Sequence, residues 1–208
     1  NAQKNIKELK NITVANVLAQ MIRLRQVTGG CGPFSFLHSN PKLDRIEQIV
    51  EEAVYSGTKV VIFSNWQEMV NVIMERLAQY HPVSITGSIA DADRQGVVHQ
   101  FQEDPDCKVI VGTIGAMGTG LTLTAGTEVI FADEPWTMAS KEQAVDRCHR
   151  IGTKDTVTVH TIMTHNSVDE HIHEIVEQKG YLANLIIDGE ESAQPSVVDS
   201  LLAALTEY

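Results

Sequence analysis

A chain of 208 residues, 43% of them hydrophobic, holds enough apolar material for one well-filled domain with appendages and too little for two large ones. A net charge of −11 argues against an autonomous nucleic-acid binder, which ordinarily shows a basic face. Any DNA contact is therefore expected in local patches, helped by a second basic surface. Three scattered cysteines with no C-x-x-C spacing predict reduced thiols in an intracellular protein, not a disulfide framework or zinc site. The lysine-rich start has no apolar h-region, so no signal peptide is expected.

Residues 13–26 read as an amphipathic helix capped by Thr13, with Val14, Val17, Leu18, Met21 and Ile22 on its apolar face. The Gly/Pro/Ser-rich run from Thr28 to Pro41 reads as a connector or hinge. Leu43 to Val54 has a helical pattern with Leu43, Ile46, Val50 and Ala53 inward, ended by Ser56-Gly57. Lys59 to Phe63 is an apolar strand of the kind found in parallel sheets. Ser64-Asn65-Trp66 then falls at its carboxyl end, where open α/β sheets bind ligands. Trp66 joins Met69, Val70, Ile73 and Leu77 on a core stripe.

Val83 to Ile85 makes a short strand leading into Thr86-Gly87-Ser88, followed by a helix through Arg94 to Phe101 and a strand over Lys108 to Val111. Small hydroxyl residues beside a glycine can donate to a phosphate without sequence preference. Glycines 112, 115, 118 and 120 follow the strand and predict a turn that brings backbone N–H groups near a phosphate. Glu128 to Ala132 is a strand ending in Asp133-Glu134. That pattern also fits a magnesium-holding Walker B strand, but the 208 residues contain no G-x-x-x-x-G-K-[ST] loop to supply the phosphate partner. Gly112 to Gly120 does not match G-x-G-x-x-G, which counts against a dinucleotide fold.

A helix is predicted from Gln143 to Ile151, with Ala144, Cys148 and Ile151 on a buried stripe and Gln143, Arg147 and Arg150 along its edge. Two preset guanidiniums and an amide suit a triphosphate; the same spacing also fits two solvated arginines. Thr156 to Thr161 is the last strand. Ser167-Val168-Asp169-Glu170 forms a capping box opening a long helix with Val168, Ile172, Ile175, Val176, Leu182 and Ile186 inward. His171 and His173, two apart on a helix, point about 200° from each other, so no metal site is expected among them and His165. The acidic tail after Gly189 ends in an amphipathic stretch, Val197 to Leu205, suited to packing back or meeting a partner.

Ala116-Met117-Gly118-Thr119-Gly120-Leu121-Thr122-Leu123 and Gln143-Ala144-Val145-Asp146-Arg147-Cys148-His149-Arg150-Ile151-Gly152 closely resemble motifs V and VI of the Swi/Snf-type ATPases of helicase superfamily two. The resemblance covers residues 13–188. It implies an α/β, three-layer RecA-like domain with a mainly parallel sheet and N- and C-terminal helical appendages, the second lobe of such an ATPase. The implied division is a helix and hinge over 1–41, the lobe core over 42–162, a packing helix over 163–189 and a tail over 190–208. Arg147 and Arg150 match the motif VI arginines, which in that family act as fingers on ATP held by the partner lobe. Gly118, Gly120 and Gln143 would adjoin that nucleotide.

Phe63-Ser64-Asn65-Trp66 resembles motif IV and Thr86-Gly87-Ser88 resembles motif IVa, both near the DNA backbone in that family. With Thr113, this implies a track of Ser64, Asn65, Thr86, Gly87, Ser88 and Thr113. Leu24-Arg25-Gln26 resembles the family's signature where the chain enters the second lobe, and reads equally well as part of a surface helix. Met117, Thr122 and Thr153 depart from the family's usual glycine, asparagine and glutamine. The implied activity is ATP-driven movement along duplex DNA, with ATP and Mg²⁺ held mainly by the N-terminal lobe of the same polypeptide, an intracellular location, no membrane partner, and no hydrolysis by this chain alone. Two other readings stay open: a non-catalytic interaction module, and an unrelated α/β nucleotide enzyme.

Overall fold

The computed structural model describes residues 19–30, 40–118, 120–149 and 156–188, the last ten of these as backbone. The predicted Thr13 cap, most of the hinge, Thr119, Arg150 to Thr153 and the tail lie outside the described residues. A helical segment over 19–28 (α1) leads to α2 (Pro41–Tyr55), β1 (Lys59–Ser64), α3 (Gln67–Arg76), β2 (Val83–Ile85) and α4 (Asp91–Glu103). Next come β3 (Val109–Thr113), α5 (Ile114–Met117), β4 (Gly126–Phe131), α6 (Met138–Val145), β5 (Thr158–Thr161) and α7 (Val168–Asp188). Among the described residues no helix is long and apolar enough to cross a membrane.

The five strands form one sheet in the order β2-β3-β1-β4-β5, and every pairing is parallel. Alternation along each strand makes two cores, because successive side chains leave opposite faces. Val60, Ile62, Val109, Val111 and Ile130 pack under α2 and α3. Val61, Phe63, Ile110, Val129 and Phe131 pack under α4, α5 and α6. Phe63 stacks on Phe131 with ring centroids 5.3 Å apart, joining the two central strands. The predicted three-layer parallel architecture is what the chain adopts.

Local chemistry sets the element ends. Asn40 caps α2 by accepting from the Lys42 amide at 2.9 Å, with Pro41 at the first helical position, where its missing N–H costs nothing. Ser167 Oγ accepts from the Asp169 amide at 3.2 Å at the start of α7. The reciprocal arm of the predicted capping box differs by one residue: Glu170 takes the amide of Asn166 at 3.0 Å. In α1, Met21 is buried against Val168, Ile172 and Val176 of α7. Ile22, expected on the same face, is exposed, because the buried stripe continues from Met21 to Arg25, one turn on.

Candidate functional site

The carboxyl ends of β1, β2, β3 and β4 deliver their turns to one edge of the sheet, as parallel pairing requires. At the end of β2, Thr86 is buried and its hydroxyl lies 2.7 Å from that of exposed Ser88, across exposed Gly87. Thr113, half-buried, ends β3. These groups sit where a backbone-contacting turn was expected.

The β1 turn differs. Ser64 is fully buried; its hydroxyl donates to Asp133 Oδ2 at 2.6 Å and accepts from the Trp66 amide at 3.0 Å. The Asn65 amide donates to Asp133 Oδ1 at 3.0 Å, and its side-chain Nδ2 donates to Asp133 Oδ1 and to the Glu134 carbonyl. In this geometry the donors expected to face a phosphate are committed inside the domain, and the Asp-Glu pair at the end of β4 is what holds them. Trp66 packs against the core under α3, with its ring edge-on to Trp136 at 6.5 Å.

Asp133 also draws in a residue from the far end of the chain. Arg25, 1% exposed, donates through Nη2 to the Glu134 carbonyl and lies 3.7 Å from Asp133 Oδ1, with its guanidinium 4.3 Å from the Trp136 ring centroid. Burial pulls Arg25 below the ordinary guanidinium value, opposed by the charges of Asp133, Asp169 and Glu134. The reading of Leu24-Arg25-Gln26 as part of a surface helix is corrected on this point: the arginine is among the largest fully buried side chains. Glu134, equally buried, takes Lys141 of α6 at 3.0 Å and His173 of α7 at 3.3 Å. Asp169 gathers Lys42 at 2.6 Å, the Thr28 hydroxyl at 3.0 Å and the Thr164 amide at 3.0 Å. These buried ion pairs were not found from the sequence. The available signal was a charged residue continuing an apolar helical stripe.

The glycine segment is tighter than an open cradle. Its first part is the one-turn helix α5, packed against α6. Gly118 is buried, with its amide on the Ile114 carbonyl at 2.8 Å, while Gly120 is exposed with φ +71°, a backbone setting that favours glycine. Gln102 of α4 clasps the segment that follows, accepting from the Ala125 amide at 2.7 Å and donating to the Thr122 carbonyl at 3.2 Å.

The predicted helix from Gln143 to Ile151 is shorter than expected. α6 ends at Val145, and Arg147 and Cys148 donate back to the Ala144 and Val145 carbonyls, three residues earlier. The reason is tertiary: the Arg147 carbonyl turns away to accept from the Leu123 amide at 2.8 Å. Ala144 and Cys148 are both buried, as the stripe required, and burial pushes the Cys148 thiol up to about 12. Gln143 is exposed and Arg147 half-buried; Arg147 Nε donates to the Gln143 carbonyl at 3.2 Å. Its two terminal nitrogens have no hydrogen-bond partner among the described residues.

The helicase conserved C-terminal domain family matches residues 41–152. The chain is similar to the chromatin-remodeling ATPase INO80 of Saccharomyces cerevisiae, at 29% identity over 156 residues, 74% of this chain and 10% of that protein. It is similar to the lymphoid-specific helicase of Homo sapiens, at 33% identity over 144 residues, 68% of this chain and 17% of that protein. The fold is similar to the Sulfolobus solfataricus SWI2/SNF2 ATPase core solved in complex with dsDNA, with a TM-score of 0.68 and 26% identity over 85% of this chain and 38% of that one. The chain thus spans 10% and 17% of the lengths of those two curated relatives.

Proposed function

Because the chain belongs to the helicase conserved C-terminal domain family, as a RecA-like second lobe of the Swi/Snf-type ATPases, we propose that it works as half of a DNA-translocating motor. The other half is a first RecA-like lobe of the same polypeptide, which binds ATP and Mg²⁺. This chain contributes Arg147 and Arg150 as arginine fingers, with Gln143, Gly118 and Gly120 beside the nucleotide. ATP supplies the transferable phosphoryl group. The guanidiniums oppose the charge that spreads over that group's oxygens, a task suited to a planar donor that is always ionised.

The observation that best supports this reading is the turn at Arg147. Its main chain is bonded to the glycine segment through Leu123, its neighbour Cys148 is buried, and its guanidinium ends are unpartnered among the described residues. A side chain so anchored keeps its position while spending only its Nε donor among the described residues, which is the preorganisation transition-state binding needs. The DNA track runs over Asn65, Thr86, Gly87, Ser88 and Thr113, with Ser64 as an internal brace. Asn65 is held in place by Asp133 and the Glu134 carbonyl, so what it offers DNA is a fixed turn rather than a free side chain.

With no phosphate-binding loop of the G-x-x-x-x-G-K-[ST] form in its 208 residues, the chain is proposed to be inactive by itself. The test is ATP hydrolysis with and without duplex DNA, for this chain alone and for the two-lobed protein. DNA-stimulated turnover by the two-lobed protein only is the expected result. Robust turnover by this chain alone, or none by the two-lobed protein, defeats the reading.

A further inference from the structure

The geometry points to Arg25 as a positioning residue that latches the entry helix α1 onto the β1 turn through Asp133, and so sets the turn's readiness for DNA; the DNA part of this inference rests on the function proposed above. The Asp133 carboxylate is a hub. Ser64 Oγ holds one oxygen; the Asn65 amide, Asn65 Nδ2 and the Arg25 guanidinium converge on the other. Arg25 and Asn65 also share one acceptor, the Glu134 carbonyl. Both acceptors that hold Asn65, the Asp133 carboxylate and the Glu134 carbonyl, are therefore also groups that Arg25 touches.

Arg25 and Asp133 are 1% and 2% exposed, so neither charge has solvent to replace the other. A buried carboxylate without its cation is an uncompensated charge, which loosens the structure that holds it. Ser64 and Asn65 are the groups bonded to it, so the Asn65 turn is where that loosening falls. The latch has a second face, since the guanidinium lies over Trp136, whose ring meets Trp66 edge-on. Movement of α1 would therefore reach both residues flanking the turn. Lysine can supply the charge but not a planar group that bonds the Glu134 carbonyl while stacking on the indole.

The experiment compares Arg25→Lys and Arg25→Met with the parent, with two readouts. In the 208-residue chain, hydrogen exchange of the Asn65 amides is measured against the Val61 and Ile110 amides at the centre of the sheet. Local loosening should speed Asn65 by about tenfold while the central amides keep their rates; a merely structural contact would speed all of them together. In the two-lobed ATPase, the DNA concentration for half-maximal stimulation should rise about tenfold, with DNA-free turnover changed less than about twofold. Arg25→Lys keeps a cation beside Asp133, and so supplies the answer if Arg25→Met does not fold.

Unchanged Asn65 exchange in Arg25→Lys overturns the latch. Faster Asn65 exchange with an unchanged DNA half-saturation overturns the link to DNA. A parent protein whose ATPase ignores DNA refutes the proposed function instead, and the exchange readout still decides the latch.

Discussion

Gly112 and Met117 occupy one space: a Cβ on Gly112 would lie 2.6 Å from the Met117 sulfur and closer still to the Ile85 carbonyl oxygen. Gly112 stands inside β3, paired with Phe63 on one side and Ile85 on the other, and Met117 of α5 is fully buried over it. This glycine serves close packing of helix on strand rather than access to a phosphate. Met117, the departure from the family's usual glycine, fills the space that Gly112 leaves open.

Gly112→Ala should therefore destabilise the fold by about 1–3 kcal/mol, as an overpacked core position does. Shortening the partner in Gly112→Ala/Met117→Ala should not restore stability, because the Ile85 carbonyl is backbone and remains in place. Gly115→Ala, with open space around its Cβ position, should be close to neutral. Urea midpoints at constant m-value check the three variants.

Cys148 gives a pH dependence with a definite sign. Its thiol is raised to about 12 in the folded chain by burial, against roughly 8.5 for an unfolded thiol. A folded value above the unfolded one means the stabilisation is fully present below the unfolded value. It is lost as the pH climbs toward 12, by about 1.4 kcal/mol per unit where only the unfolded state has ionised. Cys107 and Tyr80 are raised in the same direction, so the parent alone does not isolate one group. The difference between parent and Cys148→Ala does: it should shrink steadily above about pH 9. A constant difference from pH 8 to 11 would contradict it.

The contrast between legible and hidden features follows sequence distance. Val60 and Ile62 against Val61 and Phe63 already give two buried faces, so a parallel sheet covered on both sides could be read directly. The stop at Val145 could not, because local periodicity carries the helix onward and the bond that ends it comes from Leu123. Arg25 was hidden more deeply. Its carbonyl partner is 109 residues away, and the one local signal, a charged residue continuing an apolar stripe, does not identify that partner. Ser64 and Asn65 do lie at the carboxyl end of β1, as read from the strand pattern, but their donors serve Asp133.

The proposed DNA track predicts weak, sequence-independent and salt-sensitive binding by this chain alone, as for a surface of few contacts on a protein of net charge −11. Thr86→Val should weaken binding by the two-lobed protein about three- to tenfold, since it removes the hydroxyl paired with Ser88 at 2.7 Å. Ser88→Ala should do the same, and the two effects should not add, because they share one bond. Fluorescence anisotropy on duplexes of unrelated sequence measures this. Tight binding to one chosen sequence at high salt would remove the track from consideration.

Arg147 and Arg150 carry the sharpest expectation. In the two-lobed enzyme, Arg147→Ala or Arg150→Ala should lower kcat by about 10³-fold or more, the range of an arginine finger. Arg147→Ala should leave the fold nearly intact, because the tie to Leu123 is made by the main-chain carbonyl and, among the described residues, the side chain contributes one bond, to the Gln143 carbonyl. DNA affinity should also hold, since neither residue belongs to the proposed track. Lysine should rescue poorly, because a point charge cannot reproduce the bidentate fork. His149→Ala is the control: His149 is exposed, and its loss should cost far less. If both arginine variants kept near-parental DNA-stimulated turnover, the turn after α6 would be a packed wall, and the charge on the phosphoryl group would have to be met from the other lobe.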